Sequence, residues 1–356
     1  MLYAVLAIVG FGLLIAIHEF GHFITAKLCG VRVNEFSIGM GPLLWSHEGE
    51  ETLYSLRLLP IGGFCAMEGE DEESDDPAAF GNQNGWKKLL ILVAGAGMNF
   101  LAGLVLLFLF LNQSEAFYIP VVGSFFEGFP LESEQGLLEG DRILSVNGHA
   151  VFNYSDMLLY LDSEQGAPMD LVVKRNGEKI VLEDLLLEKR EYVVNGQSVY
   201  KFGIYPAVER ATLPVTLRES FYNAIYFVRS VMMGLSDLVG GNAGIDDMAG
   251  PIGIVDTITE VGMETENKSG RSTAVWNVLY FVAFVAINLA VMNLLPVPAL
   301  DGGRIFLLVV SELFTLITRR KLPAKYENYI HTAGLMLLLG LMAVVAFNDV
   351  FRLIGG

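Results

Sequence analysis

Four long apolar runs divide the chain, at about residues 2–28, 89–111, 275–295 and 329–347. Each meets the roughly 20 residues that a helix needs to cross a bilayer. Between the second and third runs the pattern changes. Polar residues return over 114–208, and strand-like stretches at 143–146, 170–174 and 179–182 are punctuated by the tight-turn pairs Asn147-Gly148 and Asn176-Gly177. A short helix is expected at 156–161. Strands with one short helix among them over about 90 residues predict a small, partly open barrel. In the first connection, 36–42 and 52–60 read as short strands around a polar turn at 46–51, and Pro60, Ile61, Gly62, Gly63 and Phe64 read as a further turn. Residues 213–239 carry Phe221, Ile225, Val228, Met232 and Leu235 at helical spacing. Arg218, Arg229 and Asp237 interrupt them, so a helix in the interface or on the bundle is favoured over a fifth span with Arg229 at mid-membrane. Residues 240–254 are Gly-rich, and 257–272 are polar and expected to be mobile.

Composition supports a membrane protein with one polar insertion. Of 356 residues, 53% are hydrophobic and only 18% charged, and mean hydropathy is +0.48. The net charge of -17 argues against nucleic acid, whose phosphates demand a basic surface. Cys29 and Cys65 are too few for a disulfide framework and are ordinary thiols or a single bridge. The first run lacks a basic segment before it and a small-residue cleavage site after it, so it reads as a retained span. Lys27, Arg32, Arg57, Lys87 and Lys88 lie between runs one and two, and Arg304, Arg319, Arg320, Lys321 and Lys325 between runs three and four. The positive-inside rule then puts both connections in the cytoplasm, and both termini and 114–208 outside. The acidic stretch 68–76 counts little in that rule and reads as a solvated turn.

The chemistry starts with His18, Glu19, Phe20, Gly21 and His22 inside the first run. Residues i and i+4 share a helix face, so both imidazoles can reach one metal ion with Glu19 beside them. Zinc accepts imidazole nitrogen, and a nearby carboxylate can serve as general base. The competing reading is a chance match at a helix end, but two histidines and a glutamate in a span are expensive there. A catalytic zinc normally takes three protein ligands. The best third candidate is Asp301 in the stretch 293–303 (NLLPVPALDGG), where Pro296 and Pro298 break the helix and Gly302 and Gly303 let the backbone turn. An N-cap role for Asp301 is equally open from sequence. The strands of the first connection could pair with an extended peptide or form a packed hairpin without ligand. His47, His149 and His331 lie in turns or at a span's edge and read as bystanders.

At this point the chain resembles the site-2 proteases, intramembrane zinc metalloproteases. The resemblance rests on HEFGH in the first run and NLLPVPALDGG at the end of the third. FSIGMGP at 36–42, PIGGF at 60–64, MEGE at 67–70, AGAGMN at 94–99 and AGPIG at 249–253 resemble segments of the bacterial branch, and GLLEGDRILSVNG at 136–148 is similar to a PDZ domain. Ala96 stands where the family often shows Pro, and that site reads as helix packing. The resemblance implies Zn2+ held by His18, His22 and Asp301, with Glu19 as catalytic base. It further implies that Asn293 positions substrate or stabilises the oxyanion. From strand pairing itself, a strand of the first connection, with Gly62 and Gly63, is expected to hold an unwound substrate segment. The expected fold is a multi-pass α-helical membrane protein of about four transmembrane helices, with a membrane-associated β-hairpin region and one inserted extracytoplasmic PDZ domain. Its parts are a membrane part at 1–112, the PDZ domain at 113–208, an amphipathic connector with a Gly-rich loop at 209–274, and a second membrane part at 275–356. The implied function is regulated intramembrane proteolysis of single-span proteins, such as cleaved anti-sigma factors or signal-peptide remnants, in a bacterial cytoplasmic membrane. The PDZ domain would filter by size or bind a peptide C-terminus. The alternatives are a catalytically silent PDZ-bearing scaffold, which would not need Glu19, and a metal transporter. A transporter would need polar residues spread across the spans, where the second and fourth offer mainly Asn99 and His331.

Overall fold

The computed structural model describes residues 2–70, 72, 74–164, 166–194, 196–244, 250–319 and 324–355. Asp71 and Glu73 of the acidic stretch, Met248 and Ala249 of the Gly-rich segment, and Arg320 and Lys321 lie outside the described residues, as do the side chains of Lys325 and His331. In chain order the elements are α1 (Leu2–Leu28), β1 (Val33–Glu48), β2 (Leu53–Met67), α2 (Gly85–Leu111), β3 (Ala116–Phe125), β4 (Arg142–Val146), β5 (His149–Ala150), α3 (Tyr154–Ser163), β6 (Met169–Arg175), β7 (Glu178–Leu185), β8 (Arg190–Val194), β9 (Gln197–Lys201), β10 (Ile204–Arg210), α4 (Leu213–Gly240), α5 (Pro251–Ser269), α6 (Arg271–Asn293), α7 (Asp301–Thr318) and α8 (Ala324–Gly355). They fall into two compact units, one of Met1–Leu107 with Val231–Gly356 and one of Phe108–Ser230.

In the first unit, four helical stretches among the described residues are long and apolar enough to cross a membrane: α1, α2, α6 and Thr332–Phe351 within α8. Lipid tails are as apolar as leucine, so such helices associate through close packing rather than through escape from water. Tyr3, Ala7 and Leu14 of α1 are buried with Val278, Val282, Val285 and Ala286 of α6 and Ile258 of α5. Glycine brings α1 against α2, since a Cβ at Gly21 would stand 2.5 Å from the Ala94 carbonyl oxygen. A second cluster of Ala26, Val31, Val33, Cys65, Met67 and Ile91 joins the end of α1 to the β-strands and to α2.

Two local expectations are corrected here. The polar stretch 257–272 is helical through Ser269 and begins again at Arg271. Pro251 opens α5 at a position that tolerates proline, and Ile254, Val255 and Ile258 bury one face against α1 and α6. The connector expected at 209–274 thus holds the end of β10, two full helices and the start of α6. Residues 60–64 are not a turn, because Phe64 pairs with Ser37 and Gly63 with Ile38 inside the sheet. Both strands are longer than expected, and each bends where glycine adopts positive φ, at Gly39 (84°), Gly41 (84°) and Gly62 (99°). The bends give residues 35–38 partners on both sides, at 63–66 and at 53–56.

The second unit is built on an antiparallel sheet in the order β10-β3-β4-β6-β7, with β5 paired to β4. Asn147 (46°) with Gly148 (79°), and Asn176 (53°) with Gly177 (91°), adopt the positive φ values that close its tight hairpins. The Asn153 side chain caps α3 by accepting from the Asp156 amide. The separate hairpin β8–β9 has no counterpart in the sequence reading. On α4, Arg229 donates to Asp156 Oδ2 at 2.7 Å and to the Ala150 carbonyl, and its guanidinium lies 4.4 Å from the Phe152 ring centroid. The charge that argued against a fifth span is therefore neutralised within this unit, and α4 is not among the helices apolar enough to cross.

Candidate metal centre

Adjacent turns of α1 bring the His18 and His22 Nε2 atoms to 3.2 Å of each other, with the rings edge to face. His22 is buried, and its Nδ1 lies 2.8 Å from the Ile91 carbonyl oxygen of α2. That carbonyl can only accept, so the ring proton sits on Nδ1 and the Nε2 lone pair faces inward.

Asp301 arrives from the other end of the chain. Helix α6 stops at Asn293, Ala299 takes a φ of 79°, and α7 starts at Asp301. Gly303 turns against the preceding backbone so closely that a Cβ would stand 2.7 Å from the Val297 carbonyl carbon. Leu300, not Asp301, occupies the N-cap position, and no side chain caps this helix. The Asp301 carboxylate instead points at the imidazoles, with Oδ2 at 3.1 Å from His18 Nε2 and 3.2 Å from His22 Nε2.

The His22 lone pair and the Asp301 carboxylate thus face each other with His18 Nε2 beside them, and Asp301 Oδ2 is buried without a hydrogen-bond partner. A cation resolves that arrangement. Ligands about 2.0–2.2 Å from a tetrahedral zinc stand about 3.4 Å apart, close to the separations here. Two nitrogens and one carboxylate oxygen are also a donor set that zinc accepts. Among the described residues this trio is the one group of three or more His, Cys, Asp or Glu residues arranged to hold a metal ion.

The neighbours are informative. Glu19 is half-buried, and β2 passes beside it: a Cβ at Gly63 would lie 3.5 Å from Glu19 Cγ. Gly62 is the bend in that strand. Asn293 Nδ2 is 3.5 Å from His18 Nδ1, at the limit of a hydrogen bond. Gly95 of α2, read from sequence only as part of a packing motif, faces the imidazoles directly. A Cβ there would stand 2.7 Å from His18 Cε1 and 2.8 Å from His22 Cε1. The clue available in sequence was a run of small residues on a helix that must pass two imidazoles. His47 stacks on Trp45 and His149 on Tyr160, and neither joins the trio. Cys29 and Cys65 are both free, so the bridge left open by the sequence is not formed.

A profile of peptidase family M50 matches residues 6–341. A Clostridium perfringens protein provisionally named a zinc metalloprotease is 37% identical over 351 residues, covering 98% of both chains. A similarly named protein of Clostridium acetobutylicum is 35% identical over 349 residues, covering 97% of this chain and 96% of its own. A Bacillus subtilis protein named regulator of sigma-W protease RasP is 27% identical over 428 residues, covering 97% of both chains.

Proposed function

The chain belongs to peptidase family M50 and is an intramembrane zinc metalloprotease, and we propose that His18, His22 and Asp301 hold its zinc while Glu19 is the general base. The observation that carries this assignment is the convergence of three ligand atoms from α1 and α7, with Glu19 next to His18 in the same turn of α1. When bound, zinc supplies a Lewis acid that polarises the scissile carbonyl and acidifies water. Glu19 takes a proton from the attacking water and returns it to the amine nitrogen as the carbon–nitrogen bond breaks. His22 keeps its lone pair inward through the Ile91 carbonyl, and Gly95 leaves room for both rings. We assign Asn293, whose Nδ2 lies 3.5 Å from His18 Nδ1, to donating to the developing oxyanion.

A substrate helix hides its carbonyls in its own hydrogen bonds and must unwind before cleavage. We assign Gly62 and Gly63, where β2 runs beside Glu19, to holding the unwound segment as an added strand. The exposed Leu43, Leu44, Trp45, Leu58 and Leu59 of β1 and β2 suit a sheet that rests in the membrane interface. The region 113–208 acts as a PDZ domain outside the cell, filtering substrates by size or taking a peptide C-terminus, and the metal site lies toward the cytoplasmic side. Membrane parts at 1–112 and 275–356 frame it, joined by 209–274. The substrates are single-span proteins of the bacterial cytoplasmic membrane, such as trimmed anti-sigma factors or signal-peptide remnants. The name of the Bacillus subtilis relative, regulator of sigma-W protease, supports the first of these.

The ligand assignment is tested by measuring zinc content and cleavage of a model single-span substrate in liposomes for His22→Ala and Asp301→Asn. Both variants are expected to lose zinc and activity together. Full zinc occupancy and normal cleavage in Asp301→Asn would remove Asp301 from the ligand set.

A further inference from the structure

The two halves of the metal site come from helices far apart in sequence, and something must hold them in register. Helix α7 buries Gly302, Gly303 and Leu307, while Phe306, Val309, Val310, Leu313 and Phe314 are exposed. Its first turn carries Arg304, whose Nη1 donates to the Glu70 carboxylate. Arg304 stands three residues after Asp301, one helical turn along α7.

Glu70 is presented by a turn that is itself fastened to Arg32, in the short link between α1 and β1. The Glu68 amide donates to the Arg32 carbonyl at 2.9 Å, and the Arg32 amide donates to the Ala78 carbonyl at 3.0 Å. Arg32 also pairs with Asp76 at 2.8 Å. The second oxygen of Glu70 accepts from the Met67 amide at 3.4 Å, which ties the carboxylate to the end of β2. The Glu70 side chain is 14% exposed and that of Arg304 32% exposed, so the pair is partly shielded from water and less screened than a surface ion pair.

We propose that Glu70 and Arg304 form a clamp that sets Asp301 at bonding distance from the two imidazoles without touching the metal. They are positioning residues: Glu70 moves with the α1 block that carries His18 and His22, and Arg304 moves with the turn that carries Asp301. The inference rests on the ligand role proposed for Asp301. Partners that orient ligands from outside the metal's own shell typically contribute 10–100-fold to metal affinity, and an arginine–carboxylate pair can fix direction as well as distance.

The test is zinc affinity of the full-length protein in detergent, by competition with a chromogenic chelator, together with melting of the zinc-free forms. Glu70→Gln and Arg304→Gln are expected to weaken zinc binding about 10–100-fold while the zinc-free protein melts as wild type does. Arg304→Lys keeps the charge and is expected to fall between Arg304→Gln and wild type. Exchanging the pair, Glu70→Arg with Arg304→Glu, is expected to recover at least about tenfold over the single changes. Wild-type zinc affinity in both single variants overturns the clamp. So does a loss that the exchange fails to recover and that comes with lowered melting of the zinc-free forms, because that pattern marks general damage. Asp301→Asn separates the two readings. If it too keeps wild-type affinity, the ligand assignment fails. If it loses zinc while the clamp variants keep it, only the clamp fails.

Discussion

Gly95 shows how much a single hydrogen matters at the metal centre. Both imidazoles lie within 2.8 Å of where its Cβ would be, and His22 cannot swing away without leaving the Ile91 carbonyl. Gly95→Ala should therefore weaken zinc binding by at least about tenfold, read by equilibrium dialysis against limiting zinc. Unchanged affinity would mean that the rings do not sit against α2 as described. At this scale the sequence was informative where chemistry forces a residue type. Two histidines and a glutamate at helical spacing in an apolar run have few other uses, and the proline-broken, glycine-flanked Asp301 announced a turn inside the membrane. Gly95 was illegible because its role depends on which turn of α2 faces α1, and spacing along one helix does not contain that. The N-cap alternative for Asp301 was settled by one position: the helix starts at Asp301 itself, so the side chain stands past the cap.

At the scale of elements, the junction of α3 and α4 makes a testable unit. Asp156 is fully buried, and Arg229 pairs with it at 2.7 Å. Arg229→Ala leaves that carboxylate without its counter-charge, a loss of about 3 kcal/mol or more, measurable by denaturant unfolding. Arg229→Lys should recover only part of it, because the planar stacking over Phe152 is lost. Burial pushes the Asp156 carboxyl above its ordinary range, while the Phe152 amide and Arg229 pull it back. A carboxyl raised in the folded state favours folding at acid pH, and that contribution is lost as pH rises through the raised value. Removing Arg229 raises the carboxyl further, so the deficit of Arg229→Ala should be largest at neutral pH and shrink as pH falls through the variant's raised value toward the wild type's, both above the ordinary carboxylate range. A deficit independent of pH would contradict this. The elements that sequence missed share a cause. Helix α5 hides behind polar residues, since only one narrow face is buried, by Ile254, Val255 and Ile258. Residues 60–64 carry Pro60, Gly62 and Gly63, a turn composition, yet Gly63 and Phe64 are held in the sheet by Ile38 and Ser37. In both places tertiary pairing overrides local composition.

For the whole molecule, four apolar helices and one polar insertion were legible because a bilayer imposes a length and a composition that a soluble core does not. What sequence could not supply is how the ends of α1 and α7 meet, since contacts between residues nearly 300 positions apart leave no periodic trace. The proposed orientation has a direct check in intact bacteria. A cysteine placed at Gln197, which opens β9 in the β8–β9 hairpin of the inserted unit, should react with an impermeant maleimide from outside. One placed at Glu50, in the turn between β1 and β2, should react above the parent's background only after lysis. Equal labelling of both in intact cells would contradict the topology. Chelation should abolish cleavage, and added zinc should restore it.

The most direct test of the central claim compares wild type with Glu19→Gln on a model single-span substrate in liposomes, with zinc measured on both proteins. Glutamine keeps the shape of the side chain and the ligands but cannot take the proton. The variant should hold wild-type zinc and cleave at least about 100-fold more slowly. Cleavage at the wild-type rate with zinc in place would show that Glu19 is not the base.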